Sequence, residues 1–446
     1  MALSRPRDGH SPWAPARRSA ITLSPPAHPI HAELTVPGSK SFANRALILA
    51  AQAEGTSQLG GFLRSDDTYW CLDALRRLGV RAEVEGETVT VEGCGGRWPV
   101  ARGSLFAGSA GTVARFLPGA LAAAPGGEWV LDGSDQLRSR PLEPLVQALR
   151  TLGGHVEAVE GGGLPLRVWG GGLRGGRVSI SGKVSSQFLS GLLLAAPKAD
   201  ASVTVEVEDD LVQPAYVGIT LAVMRRFGAR VEHDAGFRRI EVHPGPYRAA
   251  DHVLEADAST ASYFLALAAA SGGRVRVTNV GAASLQPDAR FVDVLEAMGA
   301  RVIRGDAFLE VAGSGHLRGG LTVDMKPMSD QALTVGVLAA LADGPVTVTG
   351  VAHIRQHESD RIAVLAANLG ALGIRAEEHP DGFTVHPGEP RPGTVDPHDD
   401  HRVAMAFALL AARVPGVRIL GPGCVSKTYP GFFEKLGRLG VGVQSE

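Results

Sequence analysis

The chain has 446 residues, of which 44% are hydrophobic and 20% are charged, a composition typical of a globular protein long enough for two domains. Its 44 basic and 46 acidic side chains leave a formal net charge of −2, which argues against nucleic acid as a partner because backbone binding usually needs a basic excess. No apolar run reaches the roughly 18 residues of a membrane span, and three cysteines are too few for a disulfide framework, so a reducing cytoplasm is the expected location.

The first 25 residues are rich in Pro, Ser and Arg. They contain no apolar core of the kind that a secretory signal needs. Low hydrophobicity with several positive charges is typical of disorder. We therefore predict a disordered extension over 1–25, rather than an organelle transit peptide.

Six helices that are apolar on nearly every face recur with a period of about 72 residues. A polar or small residue opens each of them, and the six openings are Lys40, Gly111, Ser185, Asp257, Asp330 and His401. A helix that is apolar all round is buried, so these helices are predicted to form the interior.

A second pattern has the same period: an amphipathic helix that ends at a glycine and is followed by a strand-like run. Glycine suits the end of a helix because it adopts positive φ at little cost. Each repeat reads strand, helix, strand, helix, strand, strand, which predicts an α/β fold of six copies. The six glycines are Gly79, Gly153, Gly228, Gly299, Gly373 and Gly440.

Several cations lie where the helix dipole disfavours them. Positive side chains oppose the dipole in the first turn of a helix, and an anionic ligand would resolve that conflict. Serines in the same places, such as Ser259 and Ser329, are equally well explained as helix caps. The cations near such starts or similar turns are Lys40, Arg45, Arg115, Arg140, Arg361, Arg402 and Lys427.

Acid–base groups accompany these cations. Asp330 and Glu358 are carboxylates that could accept or donate a proton, and the sequence alone does not assign the two roles. The segment GSKS at 38–41 lacks the upstream glycine of a phosphate-binding P-loop, so ATP binding is not predicted. The segment PHDDHR at 397–402 has no second ligand cluster, so no metal is predicted.

Seven ordered segments resemble the EPSP (5-enolpyruvylshikimate-3-phosphate) synthase family: VPGSKSFANRALILAA, GSAGTVARF, LRSRPLEPL, VSSQFLSGLLLAAP, HESDRIAVLAANLGALG, DDHRVAMAFALLA and CVSKTYPGFFEKLG. The resemblance implies two inside-out α/β barrel-like domains, each of three βαβαββ repeats, with the active site in the cleft between them. One domain is expected at 39–254, and the other, discontinuous, at 26–38 plus 255–446.

The resemblance also implies a reaction. The family transfers the enolpyruvyl group of phosphoenolpyruvate to the 5-hydroxyl of shikimate 3-phosphate and releases phosphate, a step toward chorismate and aromatic amino acids. It passes through a tetrahedral intermediate and uses no cofactor. We expect the same small-molecule substrates here, and a monomer.

By the same resemblance, Asp330 accepts the proton of the 5-hydroxyl, and Glu358 with Lys40 protonates the methylene carbon. The residues implied to hold shikimate 3-phosphate are Lys40, Ser41, Arg45, Ser185, Ser186, Gln187, Tyr216, Asp330, His353 and His357. Those implied to hold phosphoenolpyruvate are Lys40, Gly111, Arg115, Arg140, Gln187, Arg361, His401, Arg402 and Lys427.

The sequence departs from the family pattern at four positions: Ser109 and His353 replace Asn, Gln213 replaces Ser, and His357 replaces Lys. A neutral imidazole at His357 would remove one substrate-facing cation, so we expect weaker binding of shikimate 3-phosphate above about pH 7. Gly111 is retained, and its missing Cβ leaves room for a bulkier analogue, which predicts sensitivity to glyphosate. Phe116 stands where the family often has Pro.

Three other functions fit less well. The related enolpyruvyl transferases that act on a UDP-amino sugar carry Cys or Asp in a loop before an Arg-Pro pair, and LRSRP has neither. RNA 3′-phosphate cyclase shares the fold but would need a basic surface. A noncatalytic metabolite-binding scaffold would fit the four departures, but it does not explain the joint presence of Lys40, Asp330, Glu358 and Arg402.

Overall fold

A computed structural model describes residues 9–16, 18–158 and 162–446. They form two compact units, each with its own hydrophobic core. Unit 1 comprises Gly38–Leu254 and the described residues up to Trp13, and unit 2 comprises Ala14–Pro37 and Glu255–Glu446. The boundary expected at 38/39 lies one residue from the start of this part of unit 1 at Gly38, and the boundary expected after 254 lies at Leu254. The expected start of the discontinuous domain at residue 26 is wrong, because unit 2 begins at Ala14.

The described residues form thirteen α-helices, none of them both long and apolar enough to cross a membrane. The helices are α1 Lys40–Gln52, α2 Asp66–Arg77, α3 Gly111–Ala122, α4 Asp135–Arg138, α5 Glu143–Thr151, α6 Ser186–Ala195, α7 Pro214–Arg226, α8 Ala258–Ser271, α9 Phe291–Ala297, α10 Ala332–Ala339, α11 Arg361–Ala371, α12 His401–Phe407 and α13 Phe432–Arg438.

The described residues also form 24 β-strands. They are β1 Ala20–Ser24, β2 His31–Leu34, β3 Glu54–Gly60, β4 Arg81–Glu85, β5 Thr88–Cys94, β6 Arg102–Phe106, β7 Glu128–Asp132, β8 His155–Ala158, β9 Leu166–Trp169, β10 Gly176–Ile180, β11 Val203–Val207, β12 Val231–His233, β13 Arg239–Val242, β14 His252–Val253, β15 Arg274–Val277, β16 Arg301–Arg304, β17 Leu309–Ala312, β18 Leu321–Asp324, β19 Val346–Thr349, β20 Ala376–His379, β21 Gly382–Val385, β22 Gly393–Val395, β23 Val417–Leu420 and β24 Gly442–Ser445.

Six four-stranded sheets share one topology, which confirms the predicted α/β fold with three repeats in each unit. Unit 1 contains the sheets β14-β3-β5-β4, β6-β7-β9-β8 and β10-β11-β13-β12, and unit 2 contains β2-β15-β17-β16, β18-β19-β21-β20 and β22-β23-β1-β24. In every sheet the first pair is parallel and the other two pairs are antiparallel. In four of the sheets, a buried helix connects the two parallel strands along the chain. In the sheets β14-β3-β5-β4 and β2-β15-β17-β16, the two parallel strands come from distant parts of the chain.

The six glycines of the repeat end helices as predicted. Their φ angles lie between 82° and 96°, a region that side chains with a Cβ rarely adopt. The following strand can therefore turn back beside its helix in every repeat.

The predicted interior helices are α1, α3, α6, α8, α10 and α12. Every residue of α3, α10 and α12 is buried, as their all-round apolar sequences predict. The predicted start at Asp330 is wrong, because Lys326–Gln331 forms a 3-10 turn and α10 begins at Ala332. Met328, at φ −137° and ψ 49°, interrupts that turn.

The prediction of a disordered extension over 1–25 is wrong for the described residues of that range. β1 lies between β23 and β24, and its Ala20, Ile21 and Leu23 are fully buried. Local composition missed this strand because both of its partners lie at the opposite end of the chain. Residues 1–8 and 17, which belong to the same prediction, lie outside the described residues.

Residues 9–13, here called the N-terminal segment, contact unit 1. The Asp66 carboxylate accepts hydrogen bonds from Ser11 N at 3.0 Å and Ser11 Oγ at 2.6 Å. The Trp13 ring lies edge-on to Tyr69, with centroids 5.2 Å apart. The Trp70 indole donates to the Gly9 carbonyl at 2.7 Å. These polar contacts, and not hydrophobicity alone, order a segment whose composition suggested disorder.

Candidate functional site

The predicted site residues fall into two groups, one in each unit. The unit 1 group consists of Lys40, Ser41, Arg45, Gly111, Arg115, Arg140, Ser185, Ser186, Gln187 and Tyr216. The unit 2 group consists of Asp330, His353, His357, Glu358, Arg361, His401, Arg402 and Lys427.

Lys40 is the first residue of α1, and the start of α2 holds its side chain. Its Nζ lies 3.0 Å from Oδ2 of Asp67, which is 1% exposed. A capping box formed by Ser65 and Thr68 fixes the turn that carries Asp67. Sequence reasoning missed Asp67. Its place in an acidic helix start was visible, but nothing in the spacing linked it to Lys40.

Arg45 lies inside unit 1 and joins three helices. Its guanidinium donates to Thr220 Oγ1 at 2.7 Å, to Ser190 Oγ at 3.2 Å, and to the carbonyls of Ser41 at 2.9 Å and Tyr216 at 3.3 Å. Burial lowers the pKa of Arg45 to about 10, still far above neutral, so the group stays charged. The predicted contact of Arg45 with substrate stays a prediction, because most of its donors already bind protein atoms.

Gly111, Arg115 and Arg140 lie together at the start of α3. Arg115 Nη1 donates to the Gly111 carbonyl at 3.1 Å, and the Arg115 guanidinium stands 5.6 Å from the centre of the Phe188 ring. A Cβ at Gly111 would come within 2.8 Å of Arg115 Nη1 and 2.9 Å of Arg140 Nη1. The absence of a side chain at Gly111 therefore lets two buried guanidinium groups occupy one helix start, as an anion site requires.

The remaining unit 1 residues lie at the starts of α6 and α7. Ser185 caps α6, because its Oγ accepts from Gln187 N at 3.2 Å. Ser186 is buried in the first turn of that helix. Gln213, one of the four departures, precedes α7 at φ 50°, a strained value for a residue other than glycine. Such strain is often found near functional sites.

Arg361 is the centre of the unit 2 group and is 1% exposed. It donates from Nη1 to Asp330 Oδ1 at 3.0 Å, from Nη2 to Glu358 Oε2 at 2.9 Å, and from Nε to Asp400 Oδ2 at 2.8 Å. One guanidinium thus orients three carboxylates. These charge-assisted hydrogen bonds fix the positions of the three carboxylates relative to one another.

Asp330 bridges two arginines. Its Oδ1 accepts from Arg361, and its Oδ2 accepts from Arg402 Nη2 at 2.8 Å. Burial alone would raise the pKa of Asp330, but Arg402 and then Arg361 outweigh burial and hold this pKa well below its usual value. Asp330 is therefore ionised at neutral pH.

Glu358 lies between two cations. Its Oε2 accepts from Arg361, and its Oε1 lies 3.6 Å from Lys427 Nζ. Lys427 is 5% exposed, in the 3-10 turn Pro422–Lys427. His401, the first residue of α12, has Nδ1 3.7 Å from Asp400 Oδ1. The structure thus joins most of this group in one network of charged and polar side chains around Arg361.

His353 and His357 lie beside that network, with ring centroids 5.5 Å apart. Burial lowers the pKa of His353, whose Nε2 lies 2.8 Å from Ser329 Oγ. Arg361 Nη1 lies 3.0 Å from His357 Nδ1. Arginine can only donate, so this nitrogen accepts and a neutral His357 carries its proton on Nε2. The weaker binding above pH 7 expected from His357 stays a prediction.

Two further residues of this network were not predicted as site residues. Asp400, fully buried, caps α12 and accepts from Arg361 and from Ser359 Oγ. Ser259 accepts from Arg402 Nη2 at 3.4 Å, whereas the cap of α8 is Asp257. Asp400 lies two residues before Arg402 in PHDDHR, but nothing in the sequence linked its side chain to Arg361. Among the described residues, no group of three or more His, Cys, Asp or Glu side chains is suited to a metal.

Comparisons with known proteins identify the family of the chain. Residues 25–436 match the model of the family described as EPSP synthase (3-phosphoshikimate 1-carboxyvinyltransferase). A relative from Halalkalibacterium halodurans, named 3-phosphoshikimate 1-carboxyvinyltransferase 2, is 50% identical over 441 residues, with 98% of each chain covered. One from Laribacter hongkongensis with the same activity in its name is 45% identical, covering 93% of this chain and 98% of that protein.

A solved structure shows the same fold. The EPSP synthase of Acinetobacter baumannii superposes with a TM-score of 0.79 at 28% identity, covering 96% of this chain and 99% of that one.

Proposed function

The chain belongs to the EPSP synthase family, and from this premise we propose which of its residues carry the transfer of an enolpyruvyl group from phosphoenolpyruvate to shikimate 3-phosphate. The observation that carries the proposal is the bridging of Asp330 between Arg361 and Arg402. It combines an ionised carboxylate with two cations that suit anionic substrates.

Asp330 accepts the proton of the attacking 5-hydroxyl. In the ligand-free protein the two arginines keep this carboxylate ionised and weakly basic. Anionic groups of the substrates compete for the same guanidinium donors. This competition weakens the hold of Arg361 and Arg402 on Asp330, so the proton affinity of Asp330 rises when both substrates are bound.

Glu358, assisted by Lys40, donates the proton to the methylene carbon of phosphoenolpyruvate. Both side chains are held by charged partners, Glu358 by Arg361 and Lys427, and Lys40 by Asp67. Fixed orientation of this kind favours proton transfer, which typically contributes about 10²–10⁴-fold to a rate. Addition of the 5-hydroxyl then gives a tetrahedral ketal phosphate.

The methyl group of this intermediate then returns a proton to the Glu358 carboxylate as the bond to phosphate breaks, which re-forms the carbon–carbon double bond. The cations stabilise the charge that develops on the leaving phosphate. Arg115, Arg140, Arg361, Arg402 and Lys427 are all buried or nearly so, and a buried cation acts on a leaving phosphate more strongly than one in water. Side chains supply every step, so the proposal includes no metal or organic cofactor. A cytoplasmic location and a monomeric state belong to the proposal as well. The former is supported by three free cysteines, Cys71, Cys94 and Cys424.

Phosphate release from phosphoenolpyruvate tests the substrate. We expect release with shikimate 3-phosphate and none with UDP-N-acetylglucosamine. The Asp330→Asn variant should lose about 10²–10⁴-fold in kcat because it cannot accept the proton. Asp324→Asn, an exposed carboxylate of β18, is the matched control and should keep full activity. Turnover with the sugar nucleotide alone would overturn the substrate, and a fully active Asp330→Asn would overturn the role of Asp330.

A further inference from the structure

Asp288 is a buried carboxyl group that the steps above do not use. It lies in the 3-10 turn Pro287–Arg290 that precedes α9 and is 2% exposed. Its Oδ2 accepts a hydrogen bond from Ser259 Oγ, and its Oδ1 has no hydrogen-bond partner within the described part of the chain. Leaving a buried carboxylate oxygen without a donor disfavours the ionised form.

A hydrogen-bonded path connects Asp288 to the unit 2 group. Arg402 Nη2 donates to Ser259 Oγ at 3.4 Å, and the single hydroxyl proton of Ser259 is directed to Asp288. The same Nη2 donates to Asp330 at 2.8 Å. Arg402 therefore interacts with one carboxylate directly and with a second through Ser259.

The charges around Asp288 set its protonation. The neighbouring charged groups are Asp330 in the turn Lys326–Gln331, Arg402 at the start of α12, and Asp257 at the start of α8. Burial, followed by the charge of Asp330, raises the pKa of Asp288 to about 7, against the opposing effect of Arg402. A small change in local charge near neutral pH is thus enough to add or remove its proton.

We propose that Asp288 is a positioning residue that couples the binding of phosphoenolpyruvate at Arg402 to the uptake of one proton from solvent. The inference rests on the proposed role of Arg402 as a ligand of that substrate. An anion at Arg402 brings negative charge toward Asp288 and draws Arg402 donors away from Ser259. Both effects favour the neutral carboxylic acid, which in turn leaves Arg402 with one negative neighbour fewer.

The affinity for phosphoenolpyruvate should therefore fall as the pH rises through about 7. Below about pH 7 Asp288 is already neutral, the positive field of Arg402 is less compensated, and the substrate binds more tightly. Above that pH the binding must draw a proton onto Asp288, so affinity falls. The phosphate group of the substrate also titrates, near about pH 6, but it does so equally with any variant of the protein.

The test compares the KM for phosphoenolpyruvate of the full chain with that of Asp288→Asn, at saturating shikimate 3-phosphate between pH 6 and 8. Asn is neutral at every pH, so the ratio of wild-type to variant KM should rise from near unity at pH 6 to about fivefold or more at pH 8. Asp293→Asn, an exposed carboxylate of α9 paired with Arg304, is the matched control and should give a constant ratio.

Calorimetry on the wild-type chain provides a measurement that needs no variant. Heats of phosphoenolpyruvate binding at pH 7, in two buffers with different ionisation enthalpies, should reveal uptake of a fraction of a proton beyond that of the substrate itself. A KM ratio that stays flat with pH, or the absence of such uptake, overturns the role of Asp288. Failure of the proposed function is a separate result, because it would abolish turnover with shikimate 3-phosphate in the wild-type chain at every pH.

Discussion

Gly111 matters because of what a side chain there would displace. A Cβ would meet the Arg115 and Arg140 guanidinium groups at under 3 Å, so Gly111→Ala must move at least one of them. Loss of one charged hydrogen bond costs about 1.5–3 kcal/mol, and the KM for phosphoenolpyruvate should rise about tenfold or more. Steady-state kinetics with varied phosphoenolpyruvate measures this change, and inhibition by glyphosate should weaken in parallel.

Gly103→Ala is the matched control for that substitution. Gly103 lies in β6 of the same unit, and a Cβ there meets nothing within 4 Å. Its KM should equal that of the wild type. An unchanged KM in Gly111→Ala would mean that Arg115 and Arg140 do not bind phosphoenolpyruvate.

The cations of the site and their carboxylate partners differ in how far the sequence predicts them. The cations at helix starts could be predicted, because Lys40, Arg361 and Arg402 contradict a local rule for the helix dipole. Their partners could not. Asp67 and Asp400 are ordinary acidic residues at helix starts until the fold brings them to a lysine or an arginine. Only their three-dimensional contacts distinguish a cap from a group that positions a cation.

At the scale of the helices, the Arg45 side chain connects three of them. Arg45 belongs to α1, and its guanidinium donates hydrogen bonds to Ser190 of α6 and Thr220 of α7. Lysine keeps the charge but cannot serve all four acceptors, and a buried acceptor left without a donor costs about 1–3 kcal/mol. Arg45→Lys should therefore lower the free energy of unfolding of unit 1 by about that amount.

Urea unfolding followed by tryptophan fluorescence measures the Arg45 effect in unit 1 alone, because all five tryptophans of the chain belong to that unit. The control is Arg77→Lys, an exposed residue of α2 that pairs with Asp73. A normal unfolding midpoint combined with a raised KM for shikimate 3-phosphate would restore Arg45 to the purely substrate-binding role that the sequence suggested.

Most of the elements were predictable, because the repeat gives six independent views of one pattern. The buried helices and the glycines that end the amphipathic helices lie where the period predicts them. The fifth repeat differs, since the turn Lys326–Gln331 replaces the first turn of its helix and carries Asp330. That irregularity coincides with a site residue, where local regularity is often given up for function.

At the scale of the whole molecule, the N-terminal segment belongs to unit 1, and the chain passes from it into unit 2 at Ala14. Removing residues 1–13 takes away the two hydrogen bonds that Ser11 donates to Asp66 and the Trp13 ring that packs on Tyr69. We expect the free energy of unfolding of unit 1 to fall by about 1–3 kcal/mol, chiefly through the loss of these hydrogen bonds to a charged group. The four remaining tryptophans report the transition.

Two substitutions on one helix accompany the deletion. Asp66→Asn should reproduce part of the loss, whereas Asp73→Asn, on the outer face of α2, should have little effect. If the shortened chain unfolds at the same urea concentration as the full one, the segment contributes nothing to stability.

The position of β1 has a consequence for synthesis on the ribosome. The three sheets of unit 1 use strands from Glu54 to Val253, so they can form as soon as that continuous stretch has emerged. β1 is made much earlier, yet its two neighbours, β23 and β24, are made last. We expect unit 1 to fold first during translation. The apolar residues of β1 should stay without strand partners until β23 and β24 have left the ribosomal exit tunnel.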